Sequence, residues 1–202
     1  MNILDLEREL SGSLSWRKHE LQQAKFLAEQ AGDADRPYLC RAWTLVMYAH
    51  CDQFLKEVSR AYLRYLQHDP RDGYDYWSIW RAFRAKDVML SAADGDNFNQ
   101  AIAPTEIEKS KLLASISDKA VIESGNFNYK RLRFMTTFVL QIDFDFIDYK
   151  GFCGTLKTRR DEIAHGEQSV VREVKDCISW HDPTLRLLDD LADGVLNASR
   201  KA

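Results

Sequence analysis

Apolar residues recur at helical spacing along most of the chain, and strict alternation is confined to one short stretch. Ile3, Leu10, Leu14, Leu21, Ala24, Ala28 and Ala31 form one stripe, interrupted only by Glu7 and Arg17, which predicts a long amphipathic helix ending near Gly32. The loop Gly32 to Pro37 closes it. A second stripe runs through Leu39, Trp43, Val46, Met47, His50, Phe54, Val58, Ala61 and Tyr65. It is long enough to pair antiparallel with the first helix, and Asp69, Pro70, Asp72 and Gly73 end it.

Further along, the aromatic-rich segment from Tyr74 predicts a helix over Trp77 to Met89, followed by the turn residues Asp94, Gly95, Asp96 and Asn97. Thr105 with Glu108 is a capping box and predicts a helix over Glu106 to Asp118. Asn128 is the expected N-cap of a helix from Tyr129 to Leu140. The stretch Gln141 to Tyr149 alternates Ile142, Phe144 and Phe146 with Asp143, Asp145 and Asp148, as an extended connector with aromatics buried on one side would. A helix from Asp148 to Ala164, stopped by Gly166, and a last one from Ser169 to the end, bent by Pro183, complete an all-α chain of six or seven helices.

Composition narrows the class. With 202 residues, 45% hydrophobic and 11% aromatic, there is apolar material for one sizeable core, so residues 1–202 are expected to form a single domain. The charged N-terminal residues Asp5, Glu7, Arg8 and Glu9 and the lack of a long apolar run predict a cytoplasmic protein without membrane attachment. Cys40, Cys51, Cys153 and Cys177 have no paired spacing and read as reduced, mostly buried thiols. A net charge of -3 excludes nucleic-acid binding through bulk charge, so any such binding must be local.

Familiar nucleophile, phosphate-loop and cofactor motifs are missing, and no two of His19, His50, His68, His165 and His181 have the spacing of a helical metal pair, so neither cofactor nor metal is expected. What remains is the string from Lys157 to Glu167, KTRRDEIAHGE. Arg160 and His165 lie five positions apart at a helix end, where both side chains can reach a common space. A guanidinium matches phosphate geometry with two parallel donors and imidazole exchanges protons near neutrality, a combination suited to a phosphodiester. On spacing alone, the same residues are better explained as cations complementing a helix C-terminus.

The full string RRDEIAHGE resembles the signature of HEPN domains, the higher eukaryote and prokaryote nucleotide-binding helical family: Arg, four to six residues, then His, usually with a polar residue directly after the Arg. Arg160, Asp161 and His165 match those three positions, and Ile163, Ala164 and Gly166 match the usual ending. RAWTLVMYAHCDQFLKEVSRAYLRYL (Arg41 to Leu66) is similar to the second helix of HEPN-like nucleases of bacterial toxin and defence loci, and SGNFNYKRLRFM (Ser124 to Met135) to the opening of their third core helix. Asp161 stands where many members have Asn, which adds a negative charge beside the phosphate site, and Phe127 stands where Leu is commoner. The resemblance implies an antiparallel helical bundle, with an additional helical insertion between the second and third core helices. It further implies a metal-independent endoribonuclease working as a homodimer, a toxin or anti-phage effector restrained in some systems by an antitoxin protein. The alternative is a non-catalytic HEPN module that binds nucleotide or RNA, or an all-helical partner subunit.

On this reading Arg160 binds the scissile phosphate, His165 transfers a proton and Asp161 orients one of them, while Arg159, Lys157 and Lys130 contact RNA. One chain supplies a single Arg and His pair, whereas acid and base catalysis asks for two proton-transfer groups, which a twofold dimer provides. His50 has two readings, a satisfied core histidine or a residue orienting the site. Lys130, Arg131, Arg133, Lys150, Lys157, Arg159 and Arg160 form either an RNA-facing patch or ordinary solvated helix faces. Tyr74, Tyr76, Trp77, Trp80 and Phe83 read as core or dimer contacts ahead of base-stacking groups.

Overall fold

The structure is a computed structural model that describes residues 1–69, 73–76, 126–167 and 170–200. The first helix, α1 (Ile3–Gln30), starts with a capping box, Asn2 accepting from the Asp5 N–H and Asp5 accepting from that of Asn2. A short turn leads into α2 (Arg36–His68), with Pro37 in its first turn where a missing N–H costs nothing. Both follow the stripes read from the sequence.

Cross-helix partners fix the directions. Ser13 meets Glu57, Arg17 meets His50 and Glu9 meets Arg64, so α1 and α2 run antiparallel. The last helix, α6 (His181–Arg200), returns antiparallel to α1 through Lys18 with Asp189 and Glu7 with Arg200. It lies parallel to α2, as Trp43 against His181 and Tyr65 against Ser199 show. α2 is thus the central helix and is buried over far more than one stripe: Thr44, Tyr48, Cys51 and Leu55 are covered as well as Trp43, Met47 and Phe54. The single stripe expected for it understated the arc because five elements, not one, pack around it.

Asn128 caps α3 (Tyr129–Phe134) by accepting from the Arg131 N–H at 2.9 Å, and the helix continues as a π-helical turn over Met135–Leu140. Ile142, Phe144 and Phe146 are half-buried and Asp143 and Asp145 exposed, which is the one-sided connector expected, although its end is a 3-10 turn over Phe146–Tyr149. The next helix, α4 (Lys150–Ala164), packs on α2 and is followed by a short α5 (Val174–Cys177) and a 3-10 turn Ile178–Trp180. The C-terminal region therefore departs from one helix bent at Pro183: the helix restarts at His181, and Pro183 sits in its first turn, where it removes no helical hydrogen bond.

The described residues share one hydrophobic core, and among them there is no strand. The four cysteines are free and buried, as expected, and burial pushes the thiols of Cys51 and Cys153 up, that of Cys153 to about 12. Tyr74 and Tyr76 are core residues, Tyr74 donating to the Val139 carbonyl at 2.6 Å. The expected helices over Trp77 to Met89 and Glu106 to Asp118, the helical insertion they would form, and Trp77, Trp80 and Phe83 lie outside the described residues. No helix among the described residues is long and apolar enough to cross a membrane.

Candidate functional site

The C-terminal end of α4 carries the residues singled out by the sequence. His165 is its C-cap, at φ -84° and ψ 3°, and Gly166 follows at φ 84°, a left-handed conformation that glycine adopts without strain. The Gly166 N–H donates to the Ile163 carbonyl and the Glu167 N–H to that of Glu162, both at 3.0 Å, which closes the helix with a Schellman motif. His165 is therefore fixed in backbone, while its exposed ring makes no hydrogen bond or ion pair with any described residue.

Arg160 is held on two sides. Its guanidinium carbon lies 4.6 Å above the ring centroid of Tyr48, and Nη1 donates to Asp161 Oδ1 at 2.8 Å. Nε and Nη2 have no hydrogen-bond partner among the described residues, so a bidentate donor edge remains available. Asp161 also accepts from Lys157, and that bond with the Arg160 contact holds its carboxyl below the usual carboxylate range. Asp161 thereby joins Arg160 and Lys157 in one charge cluster.

The other candidates are more scattered. Arg159 turns to Glu162 at 2.8 Å. Lys130 is exposed on α3, and no contact joins it to Arg160 or His165. Arg131, in contrast, is half-buried near the negative charge of Asp52, and Arg133 lies over the Phe146 ring. The basic run is thus largely engaged with carboxylates and rings of its own chain. His50 faces α1 and is a core residue: its Nδ1 accepts from Arg17 Nη1 at 2.8 Å, and Nε2 lies 2.8 Å from the Glu20 carboxylate.

Arg160 and His165 are not in contact within one chain. Five helical positions turn the side chain by about 140° around the axis. Arg160 leans back onto α2, whereas His165 continues the opposite face, made of Gly151, Gly154, Thr155 and Thr158. Those residues with Lys150, Arg159 and Glu162 line an open groove of about 560 Å³. A Cβ added at Gly151 or Gly154 would meet nothing within 4 Å, so nothing described in the chain itself requires glycine there.

Tyr48 is the residue that the pattern along the chain did not single out. It lies in the block Arg41 to Leu66 but off the apolar stripe, beside Met47, and the signal available was a second row through Thr44, Tyr48, Cys51 and Leu55. Its hydroxyl donates to the Phe127 carbonyl at 3.1 Å, and its ring meets that of Phe127 edge-on. The three blocks of the resemblance, on α2, before α3 and on α4, therefore converge at one aromatic ring.

An all-helical bundle with Arg160, Asp161 and His165 at the end of a late core helix is the arrangement that the resemblance to HEPN domains implies. Residues 6–201 match the family model of MAE_28990-like HEPN domains, and the chain belongs to that family. No curated protein and no solved structure gives a match.

Proposed function

We propose that this HEPN protein is a metal-independent endoribonuclease whose active site is shared by two copies of the chain. The observation that carries the reading is the end of α4: Arg160 keeps two N–H donors for a phosphate, and His165 presents an imidazole engaged by no described group. In this mechanism an imidazole removes the proton of the 2′-hydroxyl, the 2′-oxygen attacks phosphorus, and the leaving 5′-oxygen receives a proton. Arg160 stabilises the charge on the phosphoryl oxygens. The products are a 2′,3′-cyclic phosphate and a 5′-hydroxyl end.

A dimer supplies the second imidazole, since one chain carries one His165. The face of Gly151, Gly154, Thr155 and Thr158 supports this, because it admits the close approach of another helix and ends at His165. Residues 1–202 act as one domain in this reading, Arg159, Lys157 and Lys130 contact the RNA backbone, and the role is that of a cytoplasmic toxin or anti-phage effector with an antitoxin as a further partner.

Full-length protein should cleave RNA in EDTA, and His165→Ala should lose the activity. Loss with chelator and recovery with a divalent ion would overturn the mechanism. Gly154→Leu should leave the fold intact, yield monomers in sedimentation and abolish cleavage; an active monomer would remove the shared site. Mixed His165→Ala and Arg160→Ala protomers should regain activity above either parent, provided one copy of each residue suffices.

A second reading, a non-catalytic module that binds nucleotide or RNA, is favoured by Asp161, whose carboxylate already pairs with Arg160 and Lys157. RNA bound without cleavage at any enzyme concentration would decide for it.

A further inference from the structure

We infer that Tyr48 is a positioning residue of the α4 site: its ring is the platform that fixes the plane of the Arg160 guanidinium, and so sets the direction from which a phosphate is gripped. The inference rests on the phosphodiester reading for its consequences in catalysis, but not for its geometry.

A free arginine side chain samples many rotamers, and a bidentate grip works only in the guanidinium plane. Here the guanidinium is held at two points, its carbon 4.6 Å from the Tyr48 ring centroid and Nη1 2.8 Å from Asp161 Oδ1. The Asp161 contact engages Nη1, leaving Nε and Nη2 as the edge without a described partner. Tyr48 is itself held by its surroundings: it is 5% exposed, donates to the Phe127 carbonyl at 3.1 Å, and packs edge-on against the fully buried Phe127. Phe127 directly precedes Asn128, the cap of α3. The start of α3 thus anchors the ring, and the ring anchors Arg160. Burial, opposed by the Arg160 charge, pushes the phenol up to about 12, so near neutrality Tyr48 keeps its proton and serves through its ring.

The role of the ring separates from that of the hydroxyl. Tyr48→Phe keeps the platform and should cleave RNA within about twofold of the unaltered protein, while Tyr48→Leu should lower kcat about tenfold, the order expected of one cation–π contact, with little change in KM. In an Arg160→Ala background, Tyr48→Leu should cost nothing further. An equal loss in both backgrounds, or a Tyr48→Phe as damaged as Tyr48→Leu, would mean a purely structural residue and overturn the inference.

The same variants are read without RNA by the Arg160 Nε–Hε proton in NMR spectra. The ring current should shift it upfield in the unaltered protein and in Tyr48→Phe, and the shift should vanish in Tyr48→Leu, or in Tyr48→Met if the leucine variant does not fold. A shift that survives loss of the ring sinks the inference. If the unaltered protein cuts no RNA, the nuclease reading fails, while the spectrum still decides whether Tyr48 holds Arg160.

Discussion

Among the described residues, Arg17 with His50 and Arg160 with His165 are built in opposite ways. Arg17 is 3% exposed and spends its donors inside the protein: on His50 Nδ1 and Glu57 at 2.8 Å and on Ser13 at 3.3 Å, with Trp16 and Phe54 against its guanidinium. Arg160 is 30% exposed, keeps two donors clear of described partners, and shares a helix end with a histidine in the same condition. The first arrangement is a closed circuit between α1 and α2, which favours one native packing; the second has unused hydrogen-bonding capacity turned toward solvent, which is what a ligand requires. Residue types alone do not distinguish the two. Burial and satisfied donors do.

The contrast is sharpest when each pair is broken and two quantities are read, activity and stability. At the open pair, His165→Ala should lower RNA cleavage by about two to four orders of magnitude with an unchanged thermal midpoint. Arg160→Lys, which keeps the charge and loses the planar fork, should be nearly as damaging as Arg160→Ala. A melting temperature that falls with activity would turn the open pair into a second structural one.

At the closed pair the readouts exchange. Arg17→Met fills most of the same volume but leaves Glu57, Ser13 and His50 without their donor, and should cost about 2–4 kcal/mol of unfolding free energy in urea titrations. Hydrogen bonds from Ser13 and Arg17 hold the Glu57 carboxyl down against the upward push of burial, so the loss should be smaller in acid, where Glu57 is protonated. The residual activity per folded molecule should be normal. Destabilisation under about half a kcal/mol would show that this network contributes little.

How far the sequence revealed this contrast follows from which physical signals are periodic. The ends of α1, α2, α3 and α4 were legible because Gly32, Pro37, Asn128 and Gly166 act locally on their own backbone. Arg17 was visible only as an interruption of an apolar stripe; that it is buried depends on His50 and Glu57, more than thirty residues away. Tyr48 was hidden for the same reason, since its meaning comes from Arg160 on another helix. The restart at His181 was missed because the short α5 and its 3-10 turn carry no strong stop signal, and Pro183 is compatible both with a bend and with a first turn. The motif residues were legible through resemblance, whereas their separation around α4 required the helix itself.

A third histidine tests whether burial alone sets apart the closed kind of site. His181 is 1% exposed against Trp43, and neither ring nitrogen has a hydrogen-bond partner among the described residues. Burial, helped by Lys25 and opposed by Asp182 and Glu29, holds its pKa below the usual 6.5, and burial with Arg17 does the same for His50 against Glu20 and Glu57. A lowered folded pKa means that the unfolded chain binds more protons once the pH drops below about 6.5, so stability is present above that value and lost as acid is added. The thermal midpoint should fall between pH 7.5 and pH 5.5, and His181→Leu, which removes two unsatisfied nitrogens, should raise the midpoint at pH 7.5 and shrink the fall. A fall of unchanged size would assign the acid sensitivity to His50 alone.

The smallest expected effect lies at the edge of the open site, where Asp161 pairs with Lys157 and Arg160 and Glu162 pairs with Arg159. Asp161→Asn keeps an oxygen that accepts from Arg160 while removing one negative charge, so Lys157 and Arg160 should bind a single-stranded RNA a few-fold more tightly at low salt, with a steeper salt dependence. Arg159→Ala should act in the opposite direction and just as modestly, flattening the salt dependence by about one unit of slope, because Arg159 offers a phosphate contact and no part of the gripping edge. If Asp161→Asn instead abolishes cleavage while binding improves, the carboxylate has a role in proton transfer that orientation of Arg160 does not explain. If Arg159→Ala is as damaging as Arg160→Ala, the two arginines have exchanged roles, and the guanidinium that meets the phosphate is the one beside the groove of Gly151 and Gly154 rather than the one on the Tyr48 ring.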